Sequence, residues 1–240
     1  MPRKKRQSSP TGIYHWITRG INRKNLFRCP KDYVLFLNLV GEYSKRFDTQ
    51  IYHYSLMTNH VHILIHVETL ENLIGFSHYL KRKYAYYQAK EYKVLGSTFE
   101  RMYRSKPVGE EVYLLECARY IDRNPLRAGL VEHLADYPYG SYRTYAEGVK
   151  NNMITPSPAY LALAAKGHER QKLYSEYILQ HRPQEEFANS NSIVQALIAP
   201  LTSPTGRRPD FMRCLGFLKS LQTRPATNDS NPRFGRVTSP

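Results

Sequence analysis

The sequence predicts an α+β fold, an antiparallel sheet with helices on one face and a further C-terminal helix. Three observations carry this. Two β-branched runs, Ile51–Met57 and His60–Val67, flank a two-residue polar turn at Thr58-Asn59, which reads as a hairpin. Amphipathic helical stretches precede and follow that hairpin. A further strand candidate lies at each end, so the order is β-α-β-β-α-β and then a helix. That is the split βαβ, ferredoxin-like order.

The first run, Ile13–Thr18, is β-prone and ends at Arg19-Gly20. Asn22, Arg23 and Lys24 follow in a polar loop. A helix is expected from about 31 to 46, with Tyr33, Phe36, Leu37, Val40 and Tyr43 on one face. After the hairpin a second helix is expected from about 70 to 90. Leu73, Ser77, Leu80, Tyr84 and Tyr87 face inward there, and Lys81-Arg82-Lys83 face solvent or a ligand. Met102–Val108 is the fourth strand candidate, stopped at Pro107 or Gly109. Glu110-Glu111 then open a third helix, acidic charge suiting its positive end. Pro125 disfavours helical geometry in the residue before it, so this helix should stop near Asn124. Pro158–Ile178 predicts one or two small helices. From Arg182 onward the chain holds seven of its 15 prolines, and only 193–201 and 211–221 have helical character.

Composition narrows the function. The chain has 240 residues and a net charge of +15, with eight Lys or Arg and no acid before Pro30. Such an excess favours a polyanionic partner, nucleic acid first. Many of the 20 tyrosines lie near Lys and Arg, which suits stacking on unpaired bases. No apolar run approaches the roughly 20 residues that span a bilayer, so no membrane partner is expected. Cys29, Cys117 and Cys214 form no Cys-x-x-Cys pair, which argues against a zinc ribbon or a disulfide framework and for a reducing cytoplasm.

The chemistry begins at Met57–Ile65, Met-Thr-Asn-His-Val-His-Ile-Leu-Ile. A strand alternates its side chains with period two, so His60 and His62 leave one face and Val61, Ile63 and Ile65 the other. Two adjacent imidazoles on a rigid strand can hold a divalent metal. His15, His53 and His66 also lie in strands and are read as core or surface residues. In the third helix Leu114, Cys117, Ala118 and Ile121 form the buried stripe. Tyr113, Tyr120 and Asn124 lie along the next one, with Tyr120 and Asn124 one turn apart. If that helix crosses the histidine strand, Asn124 can supply an oxygen ligand and Tyr120 sits beside the metal. A phenol has a pKa near about 10, so its phenolate costs roughly 4 kcal/mol at neutral pH. A divalent cation offsets part of this and polarises a phosphoryl oxygen. The tyrosine then becomes a nucleophile toward a phosphodiester.

These segments resemble one family. His60-Val61-His62 after Leu-Met-Thr-Asn is similar to the HUH motif of single-tyrosine transposases, the REP-associated branch above all. Tyr14-His15 through Arg19-Gly20 and Asn22-Arg23 resemble the family's opening strand and loop. Gly96–Ser105 resembles its segment before the last core strand, Arg119–Val131 its nucleophile helix and following turn, and Asp136-Tyr137-Pro138 with Ser141-Tyr142-Arg143 its closing motif. Two departures stand out: Arg101-Met102 where relatives often carry Gly-Arg, and Tyr139 where they carry Trp.

The resemblance implies Tyr120 as nucleophile, with Tyr113 the nearest competitor. His60, His62 and Asn124 are the implied ligands of magnesium or manganese. The implied substrate is single-stranded or hairpin DNA, cleaved and rejoined through a 5′-phosphotyrosine. Arg19, Asn22, Arg23, Lys24, Lys83, Arg104 and Arg127 are candidate DNA contacts. The chain divides into a basic tail (1–11), an HUH domain (12–148), a small helical extension (149–185) and a disordered or loosely docked tail (186–240). A monomer or homodimer in the cytoplasm, at the nucleoid, is expected. The alternatives are a domesticated DNA-binding protein that no longer cuts, and an HUH replication initiator or relaxase.

Overall fold

The computed structural model describes residues 8–109 and 111–180. The readings placed on 1–7, Glu110 and 181–240, with the helices at 193–201 and 211–221 and Cys214, lie outside them.

Strand β1 (Ile13–Arg19) is followed by α1 (Pro30–Arg46), the hairpin β2 (Thr49–Met57) and β3 (His60–Val67), α2 (Leu70–Tyr92) and β4 (Arg104–Pro107). The four strands form one antiparallel sheet in the order β2-β3-β1-β4, the split βαβ arrangement. Two helices cover one face. Trp16, Tyr54, Leu56, Val61, Ile63 and Ile65 meet Phe36 and Val40 of α1 and Leu73, Phe76, Leu80 and Tyr84 of α2 in one core. Polar atoms in it are paired. Trp16 Nε1 donates to Ser77 Oγ at 2.7 Å and the Tyr84 hydroxyl to the Leu26 carbonyl at 2.7 Å.

Helix α1 starts where Pro30 fixes the first turn and Asp32 takes the backbone N–H groups of Arg28 (2.7 Å) and Cys29 (3.3 Å). Asp32 also accepts from the Tyr87 and Tyr92 hydroxyls of α2, at 2.6 and 2.8 Å, so one carboxylate ties the two helices together. The strand expected over 102–108 is shorter: its ladder with β1 spans Arg104–Pro107, and Val108 adds a single N–H to the Ile13 carbonyl at 2.9 Å.

The other sheet face receives α3 (Glu111–Asp122), whose Leu114, Cys117, Ala118 and Ile121 are buried as the spacing predicts. The helix ends two residues before the expected stop. The chain re-enters helix at once as α4 (Asn124–Arg127), with Pro125 in a first turn, where a missing N–H costs little. Short helices α5 (Tyr142–Ala146) and α6 (Pro158–Leu161) lead to α7 (Gly167–Leu179), and both α6 and α7 pack against α3. Among the described residues no helix is long and apolar enough to cross a membrane.

Burial alone would raise the Asp32 carboxyl; bonds from Tyr87, the Arg28 N–H, Tyr92 and the Cys29 N–H outweigh it and hold its pKa below the usual value. Its contribution to stability is therefore complete above the unfolded carboxyl pKa and is lost as pH falls below it. Asp32→Ala should cost about 3 kcal/mol at neutral pH, because two hydroxyls and two N–H groups lose a charged acceptor. Urea unfolding across the acid range checks both statements: the gap between wild type and variant should narrow as pH falls.

Candidate active site on the histidine face

The register of β1 against β3 sets the site. Ile17 lies opposite His62 and Arg19 opposite His60, so these side chains and His15 share the face away from the α1/α2 core. The His60 and His62 rings are 5.0 Å apart and nearly perpendicular. His60 Nδ1 is 2.7 Å from Asn59 Oδ1, while Asn59 Nδ2 donates to the Arg23 carbonyl at 3.2 Å. The amide oxygen is an acceptor, so His60 carries its proton on Nδ1 and leaves Nε2 with a lone pair. His62 Nδ1 is occupied as well, 2.8 Å from His15 Nε2.

Electrostatics keep these rings neutral. Burial, then Arg19, brings the His60 pKa down to about 4. Burial, then Lys106, brings His15 down to about 3. Burial, then His15, His60, Arg19 and Arg127, push His62 well below its ordinary value. A metal ligand must be a neutral imidazole, and both residues of the pair meet that condition.

Helix α3 packs on this face, against β2 and β3. The half-exposed Tyr120 ring lies 5.6 Å from the His62 ring and 5.8 Å from the His15 ring, edge-on to both. The Arg127 guanidinium sits over the Tyr120 ring at 5.2 Å. Asn124 is buried, its Nδ2 donating to the carbonyls of Tyr120 (2.8 Å) and Ile121 (3.3 Å). The amide nitrogen thus caps the end of the helix, and the oxygen takes no part in those two bonds. Two imidazole nitrogens and an amide oxygen form a borderline set that suits manganese or magnesium, and zinc too. Among the described residues no three or more His, Cys, Asp and Glu group together as a carboxylate-rich metal cluster would.

A network that sequence reasoning missed anchors the helix beneath the tyrosine. The Asp122 carboxylate is buried and accepts from Ser141 Oγ at 2.8 Å and the Tyr174 hydroxyl at 2.7 Å, with His53 Nδ1 3.7 Å away. Ser141 Oγ also accepts from the Tyr54 N–H of β2 at 3.0 Å. The buried Arg119 donates to the carbonyls of Tyr177 and Gln180, and Arg123 to that of Ile178. Arginine at a helix C-terminus meets its unpaired carbonyls and its negative dipole end.

The candidate DNA contacts divide by face. Arg19 and Arg104 flank Ile17 on the histidine side, through the pairs Arg19↔His60 and Ile17↔Arg104. Arg127 stands over Tyr120. Asn22, Arg23 and Lys24 are exposed in the loop after β1, whose ends bond to Thr58 and Asn59 in the β2–β3 turn. Asn22 and Arg23 adopt left-handed backbone, and Gly20 packs so tightly that a Cβ would stand 2.1 Å from the Lys24 carbonyl oxygen. Lys83 is elsewhere: it lines a cleft between α1 and α2 with Leu35, Leu39, Tyr86, Tyr87 and Lys90, on the opposite side of the sheet. Tyr139, the departure in the closing motif, stacks flat on Tyr33 with ring centroids 3.8 Å apart.

The family described as "Transposase IS200 like" matches residues 8–124, a span that holds His15, His60, His62, Tyr120 and Asn124. Over those residues the chain is similar to the IS200-like transposases. These are DNA-binding proteins of mobile elements. The structure of a REP-associated tyrosine transposase bound to a REP hairpin is similar in fold, with a TM-score of 0.50 and 13% identity over 65% of this chain and 93% of that one. A putative transposase from Deinococcus radiodurans overlays at a TM-score of 0.36 and 15% identity, over 51% of this chain and 97% of that one, too loosely to bear on the fold. No curated protein matches the sequence.

The anchor of α3 is open to a direct test. Tyr174→Phe removes one hydroxyl from a buried carboxylate and should cost about 2 kcal/mol in urea unfolding.

Proposed function

We propose that this protein is a transposase that cleaves and rejoins single-stranded DNA, hairpin-forming sequences in particular, through a covalent 5′-phosphotyrosine at Tyr120. The observation that carries the reading is the Tyr120 ring set edge-on against His62, beside a pair of imidazoles whose Nδ1 atoms both face hydrogen-bond partners, so that Nε2 is the nitrogen each could offer a cation. The match of residues 8–124 to the family and the likeness in fold to a hairpin-bound structure support the same substrate class.

His60 and His62 would hold magnesium or manganese, with Asn124 Oδ1 as third donor. Bound there, the ion supplies Lewis-acid polarisation of the scissile phosphate and charge stabilisation in the transition state. The remaining steps belong to the chain. Tyr120 Oη, losing its proton, attacks the phosphorus, and the P–O3′ bond breaks. The leaving 3′ oxygen takes up a proton and departs as a 3′-hydroxyl, while the 5′ phosphate stays on Tyr120. Attack by a 3′-hydroxyl on that phosphotyrosine reverses the step and rejoins DNA without a nucleotide cofactor, since the phosphodiester is exchanged rather than hydrolysed. Arg127, over the Tyr120 ring, is placed to meet the phosphate as it reaches the nucleophile. Arg19, Asn22, Arg23, Lys24 and Arg104 border the same face and take the flanking backbone. Lys83, across the sheet, would serve only a strand that wraps around the domain.

Incubation with single-stranded hairpin DNA and manganese tests the reading. A covalent protein–DNA adduct should form, resist denaturation, and vanish in Tyr120→Phe. An adduct that persists in Tyr120→Phe would assign the nucleophile elsewhere, with Tyr113→Phe the next variant to make. Binding with no adduct under any divalent ion would favour a domesticated DNA-binding protein.

His60→Ala should reduce adduct formation by at least about 10³-fold, the scale set by losing several kcal/mol of transition-state charge stabilisation. Hairpin affinity should change little, because phosphate contacts dominate binding. A salt titration of binding beside the cleavage assay separates the two effects.

A further inference from the structure

His15 lies 47 residues before His62 in the chain and one strand away in the sheet. Its Nε2 is 2.8 Å from His62 Nδ1, the two rings are tilted by 32° with centroids 5.0 Å apart, and the same imidazole stands edge-on to Tyr120. It is buried, as is His62.

Two neutral imidazoles joined nitrogen to nitrogen share one proton, so only two arrangements exist. If His15 Nε2 carries it, His62 Nδ1 accepts, and the proton of His62 must sit on Nε2, which closes that nitrogen to a cation. If His62 Nδ1 carries it, His15 Nε2 accepts, and His62 Nε2 keeps its lone pair. The neighbouring ligand shows the second pattern: Asn59 Oδ1 can only accept, so His60 is held with Nδ1 protonated and Nε2 free. For His60 a backbone-anchored amide does this. For His62 the corresponding position is filled by a histidine from another strand.

We propose that His15 is a positioning residue for the metal site, accepting the Nδ1–H of His62 so that His62 Nε2 is presented to a divalent cation. This rests on the reading of His60 and His62 as ligands. His15 does not touch the cation in this arrangement; the nitrogen facing His62 is occupied by the hydrogen bond. Its contact with the Tyr120 ring gives it a second task, to space the nucleophile from the ligand, so one side chain sets both halves of the site. Outer-shell acceptors of ligating histidines fix the tautomer and the ring angle, and their loss typically weakens metal affinity about 10–100-fold.

The test begins with the metal-free full-length protein labelled with ¹⁵N. Long-range ¹H–¹⁵N correlations of the imidazoles report which nitrogen is protonated, and wild type should show His62 as the Nδ1–H form. His15→Phe fills the space but accepts nothing, and His62 should revert to Nε2–H. His15→Gln places an acceptor oxygen near the same point and should restore Nδ1–H. Calorimetry with manganese alone should then give about 10–100-fold weaker binding for His15→Phe and recovery in His15→Gln. Hairpin affinity in chelator-treated buffer should be the same in all three. A wild-type His62 protonated on Nε2 would overturn the proposal, as would equal manganese affinity in wild type and His15→Phe. If His15→Phe does not fold, the wild-type tautomer and the His15→Gln titration still decide. Neither readout involves DNA cleavage, so loss of the phosphotyrosine reading, seen as no adduct, is a separate outcome.

Discussion

The carboxylate of Asp122 is buried two residues beyond Tyr120 and answers to three other parts of the chain at once. Ser141 brings the loop before α5 and, through Tyr54, strand β2; Tyr174 brings α7; His53 brings β2 again. A buried charge is costly unless its partners are fixed, so the arrangement has one low-energy geometry and strong penalties around it. That geometry lays α3 across the histidine strand. The Tyr120 phenol then falls edge-on beside the His62 and His15 imidazoles, with the Arg127 guanidinium over its ring.

Much of this was legible in the residues. His60 and His62 share a face because the strand period is two, and the stripe Leu114, Cys117, Ala118 and Ile121 declared which side of the third helix is buried. The resemblance in Arg119–Val131 singled out Tyr120 from the other tyrosines. What stayed hidden depended on register and on distant partners. His15 reads as an ordinary strand histidine until β1 is paired with β3, which puts it diagonal to His62. Asp122, His53, Ser141 and Tyr174 carry no local pattern, since up to 121 residues separate members of the group. Lys83 reads as one more cation; only the packing of α2 on the far face separates it from the histidine side.

Positive charge shapes the site twice. Arg19 and Arg127 help burial to hold the imidazoles neutral, and they line the same face that a phosphate backbone would approach. The groups that attract a polyanion therefore also keep the nitrogen lone pairs available.

The two arginines of the α3 region that bond to the last carbonyls of α7 have a consequence in time as well as space. The Arg119 guanidinium is buried and its acceptors are 58 and 61 residues further along. A nascent chain that has emerged only through Arg127 already contains the histidine pair, the tyrosine and the asparagine, yet that arginine still has neither carbonyl. The helix carrying Tyr120 acquires this last set of anchors only after residue 180 has been made. Synthesis order itself thus separates possession of the reactive groups from their alignment, and a truncated product inherits the first without the second.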